Sequence, residues 1–316
     1  MHEYVARRLL LAIPTLLGVT LLIFLVMRIL PGDVAFVILS EGGQASPEDV
    51  RKVREALGLE RPLYVQYLAW LGDIARGDLG RSFWRNEPIS TLILDRGSVT
   101  VQIAVMAVAF SWLIGLPVGL LAAAKQDSLL DLVARGTTVL GLAVPSFWLG
   151  TLIVLLLMVG LEWFPPLRYA YPWDDLWSNL QQTTLPAVVL GLFLAAYAAR
   201  MTRSAALEVI HEDYVRTARA KGLRELSVMF RHVLKNALLP VVTLSGVQFG
   251  ALLSTSVVVE KVFNVPGLGR ALVEAIAERD YMVIQNLALT YAAAFTVINL
   301  AIDLLCGWLD PRIRYR

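Results

Sequence analysis

Cysteine and histidine are nearly missing from this chain: its 316 residues include one Cys, Cys306, and three His, His2, His211 and His232. A lone cysteine inside an apolar run leaves no disulfide framework. The three imidazoles all lie outside the long apolar runs, so a structural role fits them better than catalysis or metal binding. No His-Glu-x-x-His, Gly-x-Ser-x-Gly or Gly-x-x-x-x-Gly-Lys-[Ser/Thr] string occurs, so metalloprotease, serine-hydrolase and phosphate-loop chemistry lack their residues. No catalytic residue, metal site, cofactor or nucleic-acid partner is expected. Charge is scarce too, at 17% of residues against 57% hydrophobic, which is too apolar for an ordinary soluble domain.

What charge there is comes in clumps. Uncharged runs cover 99–124, 136–160, 183–199, 237–259 and 282–302, and 9–30 carries only Arg28. Each approaches the ~17–25 residues with which a helix crosses a bilayer. The pattern is not the alternation of barrel strands. It predicts an all-α integral membrane protein with six transmembrane helices. The first run is longer than a signal-peptide core, and the polar Leu30-Pro31-Gly32-Asp33 follows it where a cleavage site would have small residues, so it reads as a retained helix. Short segments on one side hold fifteen basic residues: Arg7, Arg8, Lys125, Arg135, eight within 200–235, and Arg312, Arg314 and Arg316. The opposite short segments hold Arg168, Lys261, Arg270 and Arg279. The positive-inside rule then puts both termini in the cytoplasm of a multi-pass cell (inner) membrane protein. The chain divides into 1–30 (N-terminus and first helix), 31–98 (an extracytoplasmic loop), 99–308 (five further helices) and a tail at 309–316.

The outer loop reads as ordered. Ser46-Pro47-Glu48-Asp49 carries a cap, a first-turn proline and first-turn acids, with Val50, Val53 and Leu57 on one face and Gly58 as a stop. Pro62 opens a second helix with Leu63, Tyr67, Trp70 and Ile74 at helical spacing, ended by Gly77-Asp78-Leu79-Gly80. These amphipathic helices either lie on the membrane surface or cap the outer mouth of the bundle. The second outer segment, 161–182, is rich in aromatics (Trp163, Tyr169, Tyr171, Trp173, Trp177). It reads as a headgroup-level belt or as a surface for delivered cargo. Gly115 and Gly119, and Gly246, Gly250 and Ser254, put small residues four apart for close helix packing. Polar side chains within the spans are few. Gln102, Ser245, Gln248, Thr255 and Ser256 line a polar pathway or make interhelical hydrogen bonds. Asp303 stands near an inner end, and no chain of buried ionisable groups marks a proton-coupled pump.

The stretch Glu208–Pro240 is a polar island between apolar runs. Glu208, Glu212 and Asp213 precede Arg216, Arg219 and Lys221, as a helix dipole favours, and Gly222 supplies a left-handed stop. From Leu223 to Leu238 helical spacing resumes with Val228, Val233 and Leu234, and Pro240 marks re-entry into the membrane. The pattern is a short helix across the inner face, a turn, and a helix leading into the fifth span: a lever with a partner-facing side.

The string Asp213-Tyr214-Val215-Arg216-Thr217-Ala218-Arg219-Ala220-Lys221-Gly222-Leu223, followed by Arg231-His232 and Lys235-Asn236-Ala237-Leu238-Leu239-Pro240, resembles the coupling motif of ABC importer permeases. It is most similar to the dipeptide/oligopeptide/nickel branch. Gly77-Asp78-Leu79-Gly80-Arg81-Ser82, Pro145-Ser146-Phe147-Trp148-Leu149-Gly150, Val262-Phe263 with Pro266-Gly267-Leu268-Gly269, Arg279-Asp280-Tyr281 and the tail Asp310-Pro311-Arg312 resemble that branch as well. Two departures stand out. Arg216-Thr217-Ala218 replaces the general Glu-Ala-Ala, as in the peptide branch, and Met282 stands where proline is expected. The resemblance implies a type I importer permease fold with a helical outer loop after helix 1. The chain would be a non-catalytic subunit resembling the first of two permeases. Its partners would be a related second permease, two ABC ATPases, an extracytoplasmic substrate-binding protein and membrane lipid. ATP hydrolysis would fall to the ATPases, which would couple through a 208–223 helix carrying Glu212, Asp213, Tyr214, Arg216, Thr217, Ala218, Arg219, Lys221 and Gly222. Cargo in this branch includes dipeptides, oligopeptides, glutathione, nickel chelates and some sugars. The alternative is a solitary secondary transporter or channel, which predicts activity without ATPases and buried ionisable residues.

Overall fold

The computed structural model describes residues 2–29, 47–56, 59–166 and 168–309, and these residues are helical almost throughout. The helices are α1 (His2–Ile29), α2 (Pro47–Ala56), α3 (Leu63–Ala75), α4 (Ile89–Ala124), α5 (Leu129–Ala143), α6 (Ser146–Leu161) and α7 (Leu176–Val209). They continue with α8 (Asp213–Ala220), α9 (Glu225–Val262, with a π turn at Met229–Val233), α10 (Leu268–Glu278) and α11 (Tyr281–Leu309). Among the described residues the one strand-like contact is an isolated bridge between Arg81 and Pro88. The expected turn at Leu30–Asp33, the cap Ser46, the stop at Leu57-Gly58 and the tail beyond 309 lie outside the described residues.

Among the described residues, five helices are long and apolar enough to cross a membrane, and six spans result if α5 and α6 count as one. The run 136–160 is therefore not a single straight helix. It breaks between Ala143 and Ser146 and bends by 97°. Pro145 is the cause: its ring drives Val144 out of the helical region, to φ −80° and ψ 122°, and it offers no N–H to continue the ladder. The other spans overrun the uncharged stretches. α4 starts at Ile89, and α7 covers Leu176–Val209. Charges mark where a helix leaves lipid, not where it ends.

Residues fall into two compact units, Met1–Ser98 with Gly267–Thr296, and Val99–Pro266 with Val297–Arg316. In the first, α3 packs on α1 rather than standing apart as a surface helix. Phe24 meets Tyr67 and Trp70 at ring-centroid distances of 5.4 and 6.4 Å. Tyr67 and Thr20 share a hydroxyl hydrogen bond of 2.9 Å, and Arg28 donates to Gln66 at 2.9 Å. The expected stop after α3 is present: Gly77 and Gly80 both take positive φ, +81° and +73°. The same unit joins two motifs distant in sequence. Asp280 accepts Ser82 Oγ at 2.6 Å and Phe83 N at 2.9 Å, and Asn286 Nδ2 donates to Leu79 O at 2.9 Å. Met282 packs over Gly80, where an added Cβ would lie 2.8 Å from Met282 Cε.

The second unit is built around α7, whose Ala-rich length is the most buried of the candidate spans. A Cβ on Gly115 of α4 would sit 2.7 Å from Ala198 Cβ and 2.8 Å from Ala195 O, and Gly119 closes equally on Ala199 and Thr202. Gly191 returns the approach against Ala107 O, at 2.9 Å. Without a hydrophobic drive between helices in lipid, such backbone proximity supplies the dispersion contact that holds spans together. The Gly246 step meets Ile302.

Candidate functional site

The polar island folds into one block. α7 ends at Val209, two turn residues follow, and Glu212 in an extended conformation (φ −67°, ψ 146°) opens α8. The island is thus not one helix over 208–223: Glu208 belongs to α7, and only Asp213–Ala220 is the short helix. Val215 and Ala218, three apart on one face, are its two buried residues. They enter an apolar cluster with Leu120, Ala206, Val228, Met229 and Val233. Every other α8 side chain is exposed.

The exposed residues are joined to little else. Asp213 is 97% exposed and Arg216 73%, and their mutual contact of 3.4 Å is an i,i+3 pair of the kind worth little in water. Thr217 Oγ1 bonds back to Asp213 O at 2.9 Å. Gly222 takes φ +76° with open space around it, and Lys221 before it is exposed. Two contacts fasten the turn. Arg219 donates to both Glu225 oxygens, at 3.2 and 2.8 Å, and this hydrogen bonding holds the guanidinium pKa above its ordinary value. Tyr214 Oη accepts Asn236 Nδ2 at 2.7 Å. His211 Nδ1 lies 3.0 Å from Leu207 O, a structural contact.

Beneath this block lies a pair that the sequence reading passed over. Asp131, fully buried on α5, accepts Arg203 Nε at 2.6 Å and Nη2 at 2.8 Å, with Arg135 at 3.6 Å and Asp127 N at 3.1 Å. Arg203 stands on α7, six residues before its end. The only sequence signal was ordinary: Asp131 follows the capping Ser128 by three, where an acid suits any helix start.

The polar residues proposed for a pathway do not converge. Gln102 belongs to a buried amide–hydroxyl network with Asn179, Thr183 and Tyr169. Ser256 is buried and bonds to Leu253 O at 2.9 Å. Ser245 accepts Trp112 Nε1 at 3.0 Å, and Thr255 bonds to Ala251 O at 3.2 Å. Ser245 and Gln248 line one small void against α7, Gln248 and Thr255 another, each of about 10 Å³. Glu260, just past the uncharged run, was missed; it is fully buried and accepts Thr100 Oγ1 at 2.8 Å. Among the described residues, no group of three His, Cys, Asp or Glu side chains could hold a metal.

The family model described as "Binding-protein-dependent transport system inner membrane component" matches residues 115–315, and its N-terminal companion matches 1–104. A putative peptide transport system permease protein of Brucella abortus (strain 2308) is 44% identical over 315 residues, covering 100% of both chains. The dipeptide transport system permease protein DppB of Alkalihalophilus pseudofirmus is 38% identical, and the glutathione transport system permease protein GsiC of Salmonella typhi 42%, both over 100% of each chain. Among solved structures, an inward-facing form of the MetNI methionine ABC transporter superposes with a TM-score of 0.58 at 19% identity, covering 71% of this chain and 99% of that one.

Proposed function

The chain belongs to the family of binding-protein-dependent transport system inner membrane components, the permease subunits of ABC importers, and from that membership we propose that it conducts peptides or peptide-like solutes, driven by ATPases that grip α8. It is a membrane-embedded transport subunit, not a catalytic one. The relatives' peptide, dipeptide and glutathione names support the cargo class. Its working assembly would comprise a related second permease, two ATPase subunits and an extracytoplasmic binding protein, with both termini and α8 on the ATPase side. Ser245, Gln248 and Thr255 are the better pathway candidates, since they line the two small voids, whereas Gln102 and Ser256 line neither.

One observation carries the coupling role: α8 buries only Val215 and Ala218, is tied to the following helix by the Arg219–Glu225 and Tyr214–Asn236 contacts, and presents Glu212, Asp213, Tyr214, Arg216, Thr217, Lys221 and the turn Gly222 on its exposed side. A short helix held by a small apolar foot moves as a rigid lever when a partner closes on its open side. Gly222→Pro tests this. Proline fixes φ near −65°, incompatible with +76°, while the open space around Gly222 keeps the insult within the turn. The variant should insert and pair normally, yet lose cargo-stimulated ATPase activity and uptake by about tenfold or more. Retained coupling would overturn the assignment. Uptake by the chain alone in proteoliposomes would restore the solitary-transporter reading.

A further inference from the structure

The first turns of α9 carry more apolar surface than their core uses. Val228, Met229 and Val233 are buried against Val215 and Ala218. On another side Leu226 is 67% exposed and Phe230 50%, with Leu223 exposed just before them. Leu226 and Phe230, four residues apart, share one face of the helix, and Leu223 lies in the turn just before it. Isolated exposed apolar residues are ordinary; a stripe begun by Leu226 and Phe230, with Leu223 in the adjoining turn and Lys221, Arg224, Arg231 and Lys235 all exposed beside it, calls for an occupant.

Lipid is the first candidate, and position argues against it. Lys235 is the last charge before the uncharged run 237–259. Leu226 precedes it by nine residues, about 13 Å along a helix axis, whereas the headgroup zone is only about 5–8 Å deep on each side. α7 gives the same distance independently: Arg200 is the first charge past its apolar run, and the helix continues nine residues to Val209 before α8 begins. The stripe and α8 therefore stand at one level, beyond the headgroups. They also form one body, through the shared apolar cluster, the Arg219–Glu225 pair and the Tyr214–Asn236 bond.

We propose that Leu223, Leu226 and Phe230 are the second, apolar half of the ATPase-docking surface, received by a hydrophobic patch with an acidic rim on the same ATPase that takes α8. The inference rests on the coupling role of α8. The acidic rim follows from charge complementarity: four exposed cations surround the stripe, and the one acid among them, Glu225, is already held by Arg219. Exposed aromatic and leucine side chains entering such a patch act as anchors, and the contact places the ATPase's push on α9 as well as on α8.

The test uses the permease pair in nanodiscs of neutral and of anionic phospholipid, titrated with purified ATPase subunits. Leu226→Ser with Phe230→Ser should weaken ATPase binding about tenfold in both lipids, with the thermal midpoint unchanged because both side chains are exposed. Glu212→Lys with Asp213→Lys is the comparison on α8. If that reversal weakens binding and the serine pair does not, the stripe is overturned and the α8 reading stands. Failure of both to weaken binding overturns both. A third chain, Leu226→Cys in a Cys306→Ser background carrying a bimane label, separates the occupants. Its emission should shift on ATPase addition; quenching by brominated lipid with no response to ATPase assigns the stripe to the membrane and overturns the proposal.

Discussion

α8 and α10 are short amphipathic helices of eight and eleven residues, each set between two long helices and each closed by a left-handed residue, Gly222 at φ +76° and Arg279 at φ +55°. Their charges are used in opposite ways. On α10, Arg270 meets Glu274 at 2.7 Å, Arg85 reaches Glu274 and Glu278 at 3.2 and 3.3 Å, and Trp84 Nε1 donates to Glu278 O at 2.7 Å. Glu274 is only 19% exposed. Just beyond it, Asp280 captures Ser82 and Phe83. On α8, Arg219 is paired with Glu225, but Asp213 and Arg216 point into solvent. Charge on α10 is engaged in fastening its own unit; on α8 only Arg219 is fastened, while Asp213 and Arg216 stay exposed, as the proposed docking role requires. Substitutions that remove charge should therefore damage the fold at α10 and the assembly at α8.

The largest effect on stability is expected from Asp280→Ala. The carboxylate is buried and accepts two donors from the 79–89 segment besides capping Val283 N at 3.3 Å. Removing it leaves Ser82 Oγ and Phe83 N without that partner, at a cost of about 3 kcal/mol. The thermal midpoint of the purified permease should fall by roughly 4–6 °C. An unchanged midpoint would mean that the two motifs merely touch.

A smaller effect follows from pH. Burial works against the charge on Glu274, but hydrogen bonds from Arg270 and Arg85 outweigh it and hold the carboxyl below its ordinary 4.5. Because the folded value is the lower one, the contribution is complete above about 4.5 and is lost as pH falls from there through the folded value. Thermal midpoints measured between pH 6 and 3 should show a decline that Glu274→Gln flattens. A variant declining in parallel with the parent would remove Glu274 from the clamp.

The contrast between the two helices was half visible in the sequence. The order of charges at 208–221 and the stop at Gly222 located α8 because both are local signals, read within a few residues. Long apolar runs located the spans for the same reason, and Gly115 with Gly119 marked a face later found against Ala195, Ala198 and Ala199. Partnerships were not visible. Asp131 with Arg203 and Glu260 with Thr100 join residues 72 and 160 apart, and nothing in one sequence says which acid finds which donor. The broken third span was legible in principle, since Pro145 sits inside the run 136–160, although the absence of charge there suggests one continuous helix. The 77–82 and 279–281 segments were each noted, yet only the fold shows that they clamp each other.

The smallest effect on stability, and the sharpest separation of the two helices, belongs to Glu212→Lys with Asp213→Lys. Both side chains are exposed, and Asp213's one ionic contact is the solvated pair with Arg216, so folding loses almost nothing. Two acids at a helix N-terminus do favour the dipole, but at exposed positions this is screened by salt. The midpoint should stay within experimental error of the parent. ATPase retention on purification should nevertheless collapse. The reversal shifts the charge of this end of α8 by +4 and removes the two acids that would meet a basic part of the ATPase groove, distinct from the acidic rim facing α9. Like charge across an interface slows encounter and weakens the complex. Raising the salt should restore part of the binding if the loss is electrostatic. A variant that keeps its ATPase at low salt would show that α8 is as self-contained as α10, and the distinction between the two helices would fall.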